Sequence, residues 1–64
     1  MKYFIDGNSG KFVSDSPEGA LCRAATMIYF SQGQIAHFRK TLESRKELTI
    51  VYGFKSVTIT PTEE

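Results

Sequence analysis

LTIVYGFKSVTIT, residues 48–60, is the most informative stretch of this 64-residue chain. Leu48–Tyr52 and Ser56–Thr60 are rich in β-branched residues, which suit a pleated, half-buried surface. Gly53-Phe54 between them fits a type II′ turn, which takes glycine at its first central position. A two-residue turn there pairs Tyr52 with Lys55, and the rest of the register follows. Ile50 falls opposite Val57 and Leu48 opposite Ile59, on one face, with Thr49 and Thr58 on the other. Turn and alternation agree, so the segment reads as an antiparallel hairpin. Pro61, which has no N–H to donate, is expected to end its second strand.

A second hairpin is expected at the other end of the chain. Lys2–Asp6 and Lys11–Ser14 flank Gly7-Asn8-Ser9-Gly10, whose residue types supply turn chemistry, with Gly10 suited to a positive-φ position. Closing the turn on Asp6 and Lys11 sets opposite charges across from each other and places Ile5 opposite Phe12. Each such cross-strand pair favours the register by roughly 0.2–1 kcal/mol.

Between the hairpins lies a helical block. Ser16-Pro17-Glu18 reads as an N-cap, a proline at the first helical position and an acid in the first turn. Apolar residues recur at helical spacing through Leu21, Ala25 and Ile28, and again through Ile35, Phe38 and Leu42. Two arrangements fit residues 17–46. Gly33 as a C-cap and Ser31-to-Gln34 as a capping box favour two helices. The four-three spacing of Leu21, Ala25, Ile28, Gln32, Ile35, Arg39 and Leu42 suits one continuous helix. That helix would span roughly 45 Å at 1.5 Å per residue. A globule of this length is only about 28 Å across, so one long helix would overhang it. The capping signals favour two. The expected fold is α+β, β-β-α-β-β, with two antiparallel hairpins in one sheet covered on one face by the helical block, as a single domain over residues 1–64.

Length and composition restrict the function. A chain this short buries only about 60% of its unfolded surface, and small domains recover stability through disulfides, metals or association. Cys22 is the only cysteine and His37 the only histidine, so neither a disulfide nor a four-ligand zinc site is available within the chain. Association remains. The lone thiol suits a reducing compartment. No apolar run approaches a membrane span, and Met1–Asp6 turns polar too soon for a signal peptide. A cytoplasmic protein is expected, without cofactor or metal. Net charge is +1, which leaves no global footprint for nucleic acid. Locally, Arg39, Lys40, Arg45 and Lys46 outweigh Glu43 and Glu47, and the tail reverses sign at Glu63 and Glu64.

No constellation reads as catalytic. Gly7–Phe12 has too short a glycine spacing for a phosphate-binding loop, and a strand rather than a helix follows it. Cys22 and His37 lack a third orienting group, and Cys22, beside Leu21 on an apolar helix, is expected to be a buried, inert thiol. Asp6, Asp15 and Glu18 each have a structural role close by, and paired-carboxylate chemistry needs two acids converging across a cleft.

Surfaces say more. With Tyr3, Ile5, Phe12, Leu48, Ile50, Val57 and Ile59 facing the helices, Phe4, Val13 and Val51 project from the opposite side of the sheet. Met27, Tyr29 and Phe30 add apolar surface around the first helix. The leading expectation is a non-catalytic protein–protein interaction module that occludes a partner's surface and associates with itself, as small phage or mobile-element inhibitors and regulators do. Its candidate contacts are Phe4, Val13, Met27, Tyr29, Phe30 and Val51. The alternative is a small nucleic-acid-binding domain using His37, Arg39, Lys40, Arg45 and Lys46. The interspersed glutamates favour an ordinary solvated helix face for that segment.

Overall fold

A computed structural model describes residues 1–8 and 10–62. The expectations resting on Ser9, Glu63 and Glu64 lie outside the described residues. The order is β1 (Lys2–Gly7), β2 (Gly10–Ser14), α1 (Pro17–Ala25), α2 (Gln32–Glu43), β3 (Leu48–Tyr52) and β4 (Lys55–Thr62). The strands form one antiparallel sheet in the order β2-β1-β4-β3. The α+β fold of two hairpins and a helical layer is as expected, with the block resolved into two helices.

Both registers follow the sequence. Asp6 pairs with Lys11 and Ile5 with Phe12. Tyr52 pairs with Lys55, Ile50 with Val57 and Leu48 with Ile59. Gly10 and Gly53 take the positive φ their turns require, +133° and +65°. The hairpins meet along β1 and β4, from Lys2 opposite Thr62 to Gly7 opposite Val57, so both turns lie at one end of the sheet.

Pro61 does not end β4, which runs on to Thr62 with Pro61 opposite Tyr3. The reason is the alternation of the ladder. A two-residue turn makes Tyr52 and Lys55 a hydrogen-bonded pair, so Lys55, Val57, Ile59 and Pro61 turn their backbone groups toward β3. β3 begins at Leu48, opposite Ile59. Beyond that point no strand needs the donor that Pro61 lacks.

The helical block breaks at residues 26–31, and not at Gly33. Ser16 caps α1, its Oγ accepting from the Gly19 amide at 3.0 Å. After Ala25 the turn tightens, with the amides of Met27 and Ile28 both donating to the Ala24 carbonyl at 2.9 Å. Met27, Ile28 and Phe30 are then drawn into the core. Ser31 restarts the helix through the expected capping box, donating its amide to Gln34 Oε1 at 2.9 Å. Gly33 is the second residue of α2. Burial of three apolar connector residues outweighs continued helix, because Ile28 and Phe30 could not both reach the sheet from one straight rod.

The core lies between sheet and helices. Ile5, Leu42, Val57 and Ile59 are its most enclosed large side chains, and Ala20, Leu21 and Ala24 form the buried face of α1. Arg23 covers the partly buried Phe12, its guanidinium carbon 4.5 Å from the ring centre, a favourable stacking over the ring face. α1 lies on β1 and β2, and α2 on β3 and β4. No helix among the described residues is long and apolar enough to cross a membrane.

Candidate interaction surface

The largest exposed apolar groups gather at the free edge of β3 and its turn. Gly53 carries the positive φ, while Arg45 is the only described non-glycine residue that does. Phe54 therefore has the negative φ of a type II′ turn. At that position it has no strand neighbour, and its side chain stands entirely in solvent. Tyr52 points to the helix side, where its ring meets Tyr29 edge-on at 5.6 Å. Val51 points to the outer face. Val51 is 67% exposed, Tyr29 66% and Tyr52 58%. Apolar side chains thus flank both sides of one edge strand.

Tyr52 and Phe54 escaped the sequence reading, which weighed strand faces and not turn positions. A signal was present: the second central residue of a two-residue turn contacts neither strand, so an aromatic there has no folding role. Tyr29 and Val51 are exposed as expected. Met27 and Phe30 are not surface residues, at 8% and 9% exposed. Phe30 stacks edge-on with Phe38 at 5.5 Å, and Met27 lies against Gly7, where a Cβ would fall 2.9 Å from its sulfur.

Phe4 and Val13 do project from the outer sheet face, as cross-strand neighbours. They form an apolar pair bordered by Asp6, Lys11 and Thr60. Val51 does not join them. Strand spacing and rise separate it from Phe4 by about 16 Å, and the polar row Lys11, Asp6, Thr58 and Thr49 runs between.

Four of the basic candidates, His37, Arg39, Lys40 and Lys46, lie together along α2 and its C-terminal end, with acidic groups among them. Arg39 faces Glu18 across the helices, Nη1 to Oε2 at 3.9 Å. His37, Lys40 and Lys46 line one depression with Thr41 and Ser44, and Glu43 lines a neighbouring one with His37, Arg39 and Lys40. Arg39 and Lys40 sit in the C-terminal half of α2 and Lys46 lies just beyond its end, where the helix dipole favours cations on the protein and disfavours a bound phosphate.

Arg45 follows the C-cap Ser44. Its amide donates to the Leu42 carbonyl at 3.0 Å and the Lys46 amide to Thr41 at 3.3 Å. This is a Schellman ending with arginine in the left-handed position, φ 63°, where glycine is usual. An L-residue there costs about 1–2 kcal/mol. Arg45 also makes contacts of its own, and exposed contacts of that kind contribute about 0–1 kcal/mol. Arg45→Gly should therefore raise stability by a net amount near 0.5–1 kcal/mol, read as a higher melting temperature. A lower one would show that the arginine's contacts outweigh the backbone strain.

Leu21, Cys22, Ala25, Phe30 and Ile35 line an apolar groove between the helices, closed at one end by Glu18 and Arg39. Leu21, Ala25, Ile35 and Arg39 of the four-three seam thus face each other across two helices instead of running along one. Cys22 is exposed in this groove, contrary to the expected burial, because α1 turns Ala20, Leu21 and Ala24 to the core and Cys22 lies off that face. Cys22 and His37 line separate depressions, and Gly7 and Gly10 are paired strand ends of the first hairpin, followed by β2 and not by a helix. The chain matches no protein-family model, no curated protein and no solved structure.

Proposed function

We propose that this chain is a protein-binding module, working as an inhibitor or regulator by occluding a partner's surface, and that its contact is the edge of β3 with Tyr29, Val51, Tyr52 and Phe54. One observation supports this above the others: Phe54 is wholly exposed at the tip of a strand whose two faces both carry exposed apolar groups. Desolvated aromatic residues dominate the energetics of protein interfaces. An edge strand also offers a row of unpaired backbone groups to a partner. A reducing cytoplasm suits the exposed Cys22 thiol.

The test compares capture by immobilised protein from lysate. A protein retained by the wild type, and by the Phe4→Ser/Val13→Ser double variant, should be lost with Tyr52→Ser/Phe54→Ser. Removing a central aromatic anchor costs about 2 kcal/mol or more, roughly thirtyfold in affinity. Retention by the Tyr52→Ser/Phe54→Ser variant and loss by the outer-face variant would move the contact to Phe4 and Val13 and overturn the assignment. Nucleic-acid binding by His37, Arg39, Lys40, Arg45 and Lys46 is the weaker reading, since Arg39 faces Glu18 and Glu43 lies among the others. It predicts affinity falling steeply with added salt.

A further inference from the structure

The two edges of the sheet differ. β2 carries the charged Lys11 and begins at the positive-φ Gly10, both features that discourage strand addition. β3 reads Leu-Thr-Ile-Val-Tyr, with no charge, proline or glycine. The type II′ turn fixes which of its backbone groups are free. With Tyr52 bonded to Lys55, Ile50 and Leu48 are also bonded to β4, so Thr49 and Val51 turn their N–H and C=O groups outward. The first hairpin gives the same parity independently. Closing on Gly7 and Gly10 leaves Lys2, Phe4 and Asp6 for β4, the alternation that the second hairpin demands.

We infer that a second copy of this chain pairs with β3 antiparallel about a two-fold axis through Ile50, joining two sheets into one of eight strands. The inference rests on the contact surface proposed above and names its occupant. Three features of the register select a second copy. First, the free groups match: Thr49 faces Val51 of the other copy on each side of the axis, and each pair exchanges two hydrogen bonds, four in all. Second, the side chains match. Ile50 meets Ile50 and Leu48 meets Tyr52 on the helix side, while Thr49 meets Val51 on the outer face, so the exposed Val51 and Tyr52 are covered. Third, the flanking charges are compatible. The strand itself carries no charge, and Glu47, the residue just before it, falls toward the uncharged Gly53 that follows it in the other copy. No like charges face each other across the pair.

Light scattering on a size-exclusion column, from micromolar to millimolar concentration, tests this together with amide hydrogen exchange. The expected mass is twice 7.2 kDa at high concentration, with the Thr49 and Val51 amides slowed at least tenfold as the dimer forms. Val51→Pro removes one outward donor and leaves the bonds within the hairpin intact, so it should give a folded monomer. Val13→Pro, the matching change on β2, should leave the dimer in place. A monomer at every concentration would overturn the inference. So would a dimer in which those two amides exchange at the monomer rate, or one dissociated by Val13→Pro. Capture of a foreign protein that depends on Tyr52 and Phe54 would survive each of those results, so failure of the dimer and failure of the contact surface are separable.

Discussion

Leu42→Ala is expected to release α2 from the sheet while the four strands and α1 stay folded. Leu42 is the only residue of α2 that is buried. Phe38 is partly buried against the core and Ile35 is more than a third exposed, so one side chain supplies most of the helix's anchorage. Removing it costs about 2–5 kcal/mol in lost transfer energy and residual cavity. A chain of this length has roughly 3–10 kcal/mol in total. α2 has 12 residues, and a free helix of about that length is marginal in water, so it should melt once detached. Far-UV circular dichroism should lose more than half of its helical signal, since α1 contributes only 9 residues. Hydrogen exchange should still show protected amides at Ile5 and Val57. Loss of that protection as well would show that α2 holds the sheet together and is no separable unit.

The lightly held α2 was hard to read from sequence, and the reason is physical. Ile35, Phe38 and Leu42 have equal claim to an apolar stripe by spacing alone. Which of them reaches the core depends on where the chain re-enters the helical layer, and residues 26–31 decide that. Met27, Ile28 and Phe30 carry no local signal that distinguishes a connector drawn inward from the last turn of a helix. Only the competition between extending α1 and filling the core settles it. The capping box at Ser31 was legible because its donors and acceptors lie within four residues. The same holds for both hairpin registers, which turn chemistry and alternation set between neighbours. Strand order was not legible, since the contact of β1 with β4 joins segments about fifty residues apart. The continuation of β4 through Pro61 depends on that order. Within the proposed contact surface, Val51 could be found by asking which apolar residues alternation leaves outside, and Tyr29 by the surplus of apolar residues around the first helix. Phe54 needed a different question, namely which residue has no fold-based reason to be aromatic.

Ile59→Ala is expected to unfold the whole chain in one cooperative step, in contrast to the release of a single helix by Leu42→Ala. Ile59 is fully buried and sits at the centre of the sheet, opposite Ile5 on β1 and Leu48 on β3. The truncation opens a cavity at the one strand pairing that joins the two hairpins, and costs about 2–5 kcal/mol. Alanine's poorer fit to a central strand adds up to about 1 kcal/mol. No part of the fold can leave alone in response. If β1 and β4 separate, each half keeps one hairpin and one helix, and a two-stranded hairpin is marginal by itself. Urea unfolding followed by tyrosine fluorescence and by circular dichroism should therefore give coincident curves, with the midpoint shifted far down and the slope unchanged. Ile59→Val, which removes one methylene and keeps the β-branch, should lose only about 0.5–1.5 kcal/mol. Curves that separate for Ile59→Ala would mean that one hairpin outlives the other, and that β1 against β4 is a docking contact between two folding units and not the centre of a single core.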